Sequence, residues 1–412
     1  MTSLKRTDRS RMRAMNTKLV LDAVRAVGTT SQADLIRATN LSTGTIVSIV
    51  RGLSELGLLA QTGQGASRGG RRPTLLRLNP AAAFVLSCQV GSDRATAGVL
   101  DLGASVLSRR ELPIRRELRP GNFIADLVAS LQNQVRELGI CHQRIAGLGL
   151  SLHGPVDAER GVMLFSEHLG WRDVPFRDEL ARALDLPVFA EAETRAIALA
   201  EQRWGAARDA QDFVLVELDA GIGMVQVLDG RLCRGSHSLA GELGFTVWET
   251  AERGQDRQRP RVLEDVASLQ ALCRQAEQLP EVASVGLEPF GSESSAELWL
   301  RRLVSASRAG ESRARQLLDD TTRAVGLAVA NVANLMDPEL VLLTGRMVSG
   351  TDGNLLEPIR AHVQAHLVGA PDRVLRVEPA VLGPDAAFLG VARLVIDHFF
   401  SVESLSRARL AD

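Results

Sequence analysis

Three short amphipathic segments, followed directly by two apolar runs with a glycine- and arginine-rich stretch between them, constrain this chain more than any other feature. Residues Thr17–Val27 place Leu19, Val20, Ala23, Val24 and Val27 on one helical face, and Gly28 ends the pattern. Ser31 is an N-cap for a short helix, Gln32–Thr39, with Leu35 and Ile36 inward. The tight link Asn40-Leu41 leads to Ser42, a second N-cap. A third helix from about Thr43 to Leu56 then carries Ile46, Ile49, Val50 and Leu53 at i, i+3, i+4 and i+7. Helices joined in this way follow the helix-turn-helix plan. Leu58–Gln61 and Thr74–Leu78 read as paired strands, and Thr62–Pro73 between them carries Arg68, Arg71 and Arg72. A hairpin with a flexible, arginine-tipped loop behind the third helix predicts a winged helix-turn-helix.

The outer face of the third helix is Thr43, Gly44, Thr45, Val47, Ser48 and Arg51. Small hydroxyl residues let a helix sit deep in a major groove, and an arginine reaches phosphate or guanine. The wing arginines suit phosphates or a narrow, electronegative minor groove. The candidate contacts to double-stranded DNA are therefore Gln32, Ser42, Thr43, Thr45, Ser48, Arg51, Arg68, Arg71 and Arg72. The plain outside of a helical bundle, with a disordered basic linker behind it, is the alternative. Charge favours the DNA reading: residues 1–80 hold 13 Lys/Arg against four Asp/Glu, a balance of +9, while the rest hold 35 against 45, a balance of −10. A basic head on an acidic body suits a polyanionic partner, although a solvated basic tail has the same composition.

Of the 412 residues, 45% are hydrophobic and 24% charged, the balance of a soluble globular protein of two or three domains. No apolar run reaches the ~18 residues that span a bilayer, and the basic N-terminus has no apolar core behind it to make a signal peptide. Cys88, Cys141, Cys233 and Cys273 lie far apart without a C-x-x-C pair. That argues against a disulfide framework or a cysteine zinc site and for a reducing cytoplasm. From Ala83 the texture changes to strands ending in glycine turns, alternating with helices, which indicates an α/β protein. Strand, glycine turn and strand occur near 84–100 and again near 213–228, which predicts two related lobes with a cleft between them.

Several motifs in this order resemble one family. They are Leu41-Ser-Thr-Gly-Thr-Ile-Val-Ser48, Gly70-Arg-Arg-Pro73, Gly147-Leu-Gly-Leu-Ser-Leu-His-Gly-Pro-Val-Asp157, Gly230-Arg-Leu-Cys-Arg-Gly235, Ala240-Gly-Glu-Leu-Gly244 and Asp337-Pro-Glu-Leu-Val-Leu-Leu-Thr-Gly345. The chain resembles the transcription-factor branch of the ROK family (repressors, open reading frames and sugar kinases) from about Thr17 to Phe400. The resemblance implies an actin-like ATPase (ribonuclease H-like) two-lobed α/β domain, a sugar bound in its cleft, and homodimers or homotetramers on palindromic operators. The expected organisation is a basic flexible tail at 1–16, a winged helix-turn-helix at 17–80, a ROK domain at 81–400 and a tail at 401–412. The lobes are about 81–190 plus the C-terminal helix, and 191–380.

The chain departs from the family where phosphate chemistry is done. The family's first phosphate motif, Asp-x-Gly-x-Thr, falls on Gln89, Val90, Gly91, Ser92 and Asp93, so a carboxylate is lost and Asp93 brings a charge that repels triphosphate. The second turn, Gly-Thr-Gly in the family, is Asp219-Ala220-Gly221, and the adenosine-side Gly-Gly is broken up as Thr344-Gly345-Arg346. These changes predict a chain that is not an enzyme. An active sugar kinase with a DNA-binding head is the competing reading, and an effector-independent DNA-binding protein is a third.

The sugar site implied by the family is also altered. Its Glu-Asn-Asp falls on Glu191-Ala192-Glu193, its sugar-binding Glu on Glu242, its sugar- and zinc-binding His on Phe245, and its next sugar contact on Glu264. The zinc cysteines would fall at Gln255, Arg257 and Val262, none of which ligates zinc, so no metal or cofactor is expected. Without zinc, residues 249–260 are expected to be mobile. His153, on a loop at a strand end, joins Glu193, Glu242, Phe245 and Glu264 as a candidate effector contact, although a structural or solvent-facing role suits it, His168 and His237 equally. Three acids without neutral partners point to a cationic or amino-bearing ligand, and the alternative is a decayed pocket. Trp171 and Trp248 read as packing residues.

Overall fold

The computed structural model describes residues 9–65, 72–115, 117–166, 169–249, 260–283, 293–351, 353–369 and 372–407. The chain divides into two compact units, one of residues 1–191 with 391–412 and the other of residues 192–390. Arg68, Arg71, His168, Gln255 and Arg257, and most of the 249–260 segment, lie outside the described residues.

The first unit begins with helix α1 (Arg9–Val27), strand β1 (Thr29–Ser31), α2 (Gln32–Thr39) and α3 (Thr43–Glu55), then the hairpin β2 (Leu59–Gln64) and β3 (Thr74–Leu78). Ser31 and Asp34 form a reciprocal capping box on α2, and Asn40 ends that helix at φ 54°. Ser42 caps α3 by accepting the Thr45 N–H. Leu21, Val24, Leu35, Ile46, Ile49, Val50, Leu53 and Leu76 are buried. The strands lie in the order β1-β3-β2, so the hairpin gains a third strand too short to show a sequence pattern. Helix α1 starts well before the expected Thr17. Residues 9–16 carry no periodic apolar face, but Ala14 and Thr17 are buried.

The same unit continues with β4 (Phe84–Val90), β5 (Arg94–Asp101), β6 (Val106–Pro113), α4 (Pro120–Glu137), β7 (Ile145–Leu152), the ribbon β8 (Val156–Asp157), β9 (Val162–Ser166) and β10 (Trp171–Val174), α5 (Phe176–Leu184) and β11 (Val188–Ala192). Its five-stranded sheet runs β11-β7-β4-β5-β6. Trp171 is buried against Phe123 and Phe176 and donates its indole N–H to the Leu118 carbonyl, a packing role as expected.

The second unit holds α6 (Glu193–Trp204), β12 (Phe213–Leu218), β13 (Ile222–Leu228), β14 (Arg231–Cys233), β15 (Val247–Glu249) and β16 (Arg261–Val262). Helices α7 (Leu263–Ala267), α8 (Leu269–Ala276), α9 (Pro280–Ala283), α10 (Glu293–Arg308) and α11 (Ser312–Met336) follow. Then come β17 (Leu340–Thr344), α12 (Arg346–Ser349), α13 (Leu356–His366) and β18 (Arg376–Pro379). Its sheet runs β14-β13-β12-β17-β18. Read in chain order this is the arrangement of the first sheet: an antiparallel meander of three strands, then two more added beside its first strand. The duplicated strand–turn–strand pattern near 84 and 213 is therefore a duplicated sheet.

Helix α14 (Ala386–Phe399) leads back into the first unit, and α15 (Val402–Arg407) occupies the described part of the tail expected at 401–412. Phe400 and Leu405 are buried, which is why the chain stays ordered there. Arg25 of α1 donates to Asp397 at 3.0 Å and lies 4.8 Å from the centre of the Phe400 ring.

Candidate functional site

Helix α3 separates two functions by spacing. Ile46, Ile49, Val50 and Leu53 are buried, while Thr43, Gly44, Val47 and Arg51 are exposed and Thr45 and Ser48 are half-buried. Ser42, exposed at the N-cap, accepts the Thr45 N–H at 3.2 Å, and its hydroxyl lies 2.9 Å from the Thr45 hydroxyl. Those two groups therefore already share in closing the helix end. Arg51 has a side chain 74% exposed, with Glu55 only at the limit of ion pairing, 4.0 Å away. Gln32, the first residue of α2, and Arg72, just before β3, are also exposed. Arg68 and Arg71, the other wing candidates, are outside the described residues.

The candidate effector residues divide between the units. His153 belongs to the first, just beyond β7, where its backbone N–H donates to the Val90 carbonyl at 3.2 Å. Glu193, Glu242, Phe245 and Glu264 belong to the second. Of these the structure brings Glu242 and Glu264 within electrostatic reach of each other. Glu264 accepts the Ile222 N–H at 3.2 Å. A Cβ at Gly221 or Gly244 would stand 2.9 or 2.6 Å from its carboxylate, so the turns close tightly on it. Glu193 is half-buried at the start of α6. Phe245 is 61% exposed, and His237 is exposed as well.

The residue missed in the sequence is Arg195. Buried on α6, it donates to the Ser238 carbonyl at 2.7 Å and the Ala240 carbonyl at 3.4 Å, holding the loop that leads to Glu242. Burial pushes the Glu242 carboxyl up from its ordinary value; Arg195 opposes that rise and Glu264 adds to it. Glu242 thus has a cation of the chain within electrostatic reach, a partner that the sequence pattern did not reveal. The available signal was a charged residue among the buried Ala196–Ala200 of an amphipathic helix. Among the described residues no cluster of three His, Cys, Asp or Glu could hold a metal ion, and no helix is long and apolar enough to cross a membrane.

The altered phosphate turns show where the added charges go. Asp93 pairs with its neighbour Arg94 at 3.2 Å in the turn between β4 and β5. Asp219 and Arg346, two departures from the family pattern that are 127 residues apart, bind each other. The Asp219 carboxylate accepts the Arg346 backbone N–H at 2.9 Å, its Nε–H at 2.8 and 3.0 Å and a further N–H from the guanidinium, together with the Ala220 N–H at 2.6 Å. The pair is only 23–24% exposed. Burial alone would push the Asp219 carboxyl up, but the Arg346 guanidinium and N–H outweigh it and hold it below its ordinary value. Gly345 adopts φ +96°, and a Cβ there would stand 2.3 Å from the Leu218 carbonyl, so the bend that aims α12 at Asp219 needs glycine.

Comparison with known proteins agrees with this architecture. The model of the ROK family matches residues 85–398. The xylose repressor of Caldicellulosiruptor bescii is 24% identical over 392 residues, 95% of this chain and 97% of that protein. A glucokinase of Halalkalibacterium halodurans is 25% identical over 321 residues, 78% of this chain and 97% of the kinase. Among solved structures, a ROK family transcriptional regulator homologous to the Mlc protein of E. coli superposes with a TM-score of 0.79 at 25% identity, covering 97% of this chain and 99% of that one.

Proposed function

The chain belongs to the ROK family, and from that premise we propose that it is a DNA-binding transcriptional repressor whose kinase-like units sense a small sugar-like metabolite and no longer transfer phosphate. One observation carries the reading: α3 buries its apolar side and turns Thr43, Val47 and the 74%-exposed Arg51 outward. Such a face leaves small and basic side chains open to a partner and suits a groove. The comparisons support it, since a protein named a repressor matches along nearly the whole chain while a glucokinase covers 78% of it. The protein acts in the cytoplasm as a homodimer or homotetramer. A dimer sets two copies of α3 on half-sites about 34–36 Å apart, or a multiple of that, so the operator is a repeat with that spacing.

The Asp219–Arg346 pair supports the loss of phosphoryl transfer. A phosphate turn works by leaving N–H donors and a positive field to the nucleotide. Here a carboxylate accepts the Ala220 and Arg346 N–H groups, and an arginine neutralises it.

The test is selection of duplexes from a random pool by the purified full-length protein, then fluorescence anisotropy at fixed salt. A repeated site should be enriched, and Arg51→Ala should weaken binding to it by roughly five- to a hundredfold. Failure to enrich any sequence, together with unchanged affinity in the variant, overturns the DNA reading. Robust phosphorylation of any hexose or amino sugar by ATP overturns the non-enzymatic one.

A further inference from the structure

Helix α3 breaks a local preference twice on its exposed side. At an exposed helical position propensity decides the residue, and glycine and the β-branched valine both rank well below alanine. Gly44 and Val47 nonetheless occupy such positions. No packing requirement accounts for Gly44, where a Cβ would meet nothing within 4 Å and the backbone is helical. Nor does packing account for Val47, which is 44% exposed while the neighbouring Ile46, Ile49 and Val50 fill the core. Gly44, Val47 and Arg51 stand at i, i+3 and i+7, so a notch, an isopropyl group and a guanidinium follow one another along a single stripe. Local rules are broken in this way where a partner, rather than the fold, sets the residue.

The stripe matches what a major groove offers. A thymine edge presents a C5-methyl beside its hydrogen-bonding carbonyl, and apolar side chains pack on it. A glycine lets a backbone approach a ligand more closely than any other residue. We propose that Gly44 and Val47 are specificity-determining: Gly44 lets the first turn of α3 seat against the base edges, and Val47 packs on the C5-methyl of a thymine. This inference rests on the DNA-binding reading above, and its test is chosen to fail separately from it.

The full-length protein is titrated with its enriched duplex and with copies in which each thymine in turn is replaced by deoxyuridine, which removes the methyl and keeps every hydrogen-bonding group. One replacement in each half-site should weaken binding about fourfold, the equivalent of one buried methylene. Val47→Ala should weaken binding to the thymine duplex by a similar factor and become indifferent to that same replacement. Gly44→Ala should raise the unfolding midpoint yet weaken binding roughly tenfold. Gly52, the other glycine of α3, is half-buried and off the stripe, and a Cβ there also meets nothing within 4 Å. Gly52→Ala should therefore gain stability with affinity unchanged. The inference is overturned if no deoxyuridine replacement matters, or if Val47→Ala stays as sensitive as the parent. It is equally overturned if Gly44→Ala binds normally or if Gly52→Ala loses as much as Gly44→Ala. Any of these leaves the DNA reading standing so long as a duplex is enriched and Arg51→Ala weakens it; enrichment of no duplex overturns both.

Discussion

Arg51 and Arg346 are both helical arginines in opposite circumstances. Arg51 has a side chain 74% exposed and one acid at the edge of reach, whereas Arg346 is 24% exposed and clasps Asp219 through its guanidinium and its backbone N–H. An exposed arginine contributes little to folding, because water already satisfies it. A half-enclosed arginine facing a carboxylate is one member of a pair that neither partner can leave cheaply. The contrast separates the two regions: Arg51 on α3 turns its charge outward, and the turn at Asp219 closes its charge within the chain.

The sharpest way to break the contrast is Arg346→Ala, which strands a largely enclosed carboxylate and should cost about 2–4 kcal/mol of stability at neutral pH. Three of the four tryptophans, Trp204, Trp248 and Trp299, lie in the second unit, so denaturant unfolding followed by tryptophan fluorescence reads the loss directly. Arg51→Ala should leave the same midpoint within about 0.5 kcal/mol. Equal shifts in the two variants would erase the distinction.

A smaller effect sharpens it through pH. The folded value of Asp219 is depressed, so its contribution is fully present above the ordinary carboxylate range and is lost as pH falls through the depressed value. Asp219→Asn should be less stable than the parent by about 1–3 kcal/mol at pH 7, and the gap should close below about pH 4. A gap that stays constant from neutral to acid conditions would show that the charge is not what holds the turn.

The smallest effect has the opposite sign. Glu242 is raised by burial, with Glu264 adding to it, so its ionised form is disfavoured in the folded protein. Glu242→Gln should therefore stabilise the protein slightly at pH 7, and the difference should vanish once both folded and unfolded carboxyls are protonated, below about pH 4. Destabilisation in thermal melts at pH 7 would make Glu242 a structural residue rather than one kept at a cost for a ligand.

What the sequence revealed followed the range of the forces involved. The caps Ser31 and Ser42 and the inward face of α3 were legible, since each depends on residues within two helical turns. The repeated meanders were legible as two strand–turn–strand patterns, but the shared strand order was not, because parallel neighbours are far apart in sequence. Asp219 and Arg346 each read as a lost nucleotide contact, and nothing local links residues 127 apart into one ion pair. Arg195 was hidden for the same reason: its acceptors, Ser238 and Ala240, come from a loop over 40 residues away. The beginning of α1 and the whole of α15 escaped periodicity because each is ordered by buried contacts made elsewhere.

The hold of residues 397–407 on α1 concerns the order in which the protein comes into being. Arg25 meets Asp397 across a separation of 372 positions, and Phe400 lies against the same guanidinium. At about 5–20 residues per second a ribosome needs roughly 20–75 s to make that interval. For that time a nascent reading head would have emerged with this side of α1 uncovered, until the stretch around Asp397 and Phe400 is made and seats it.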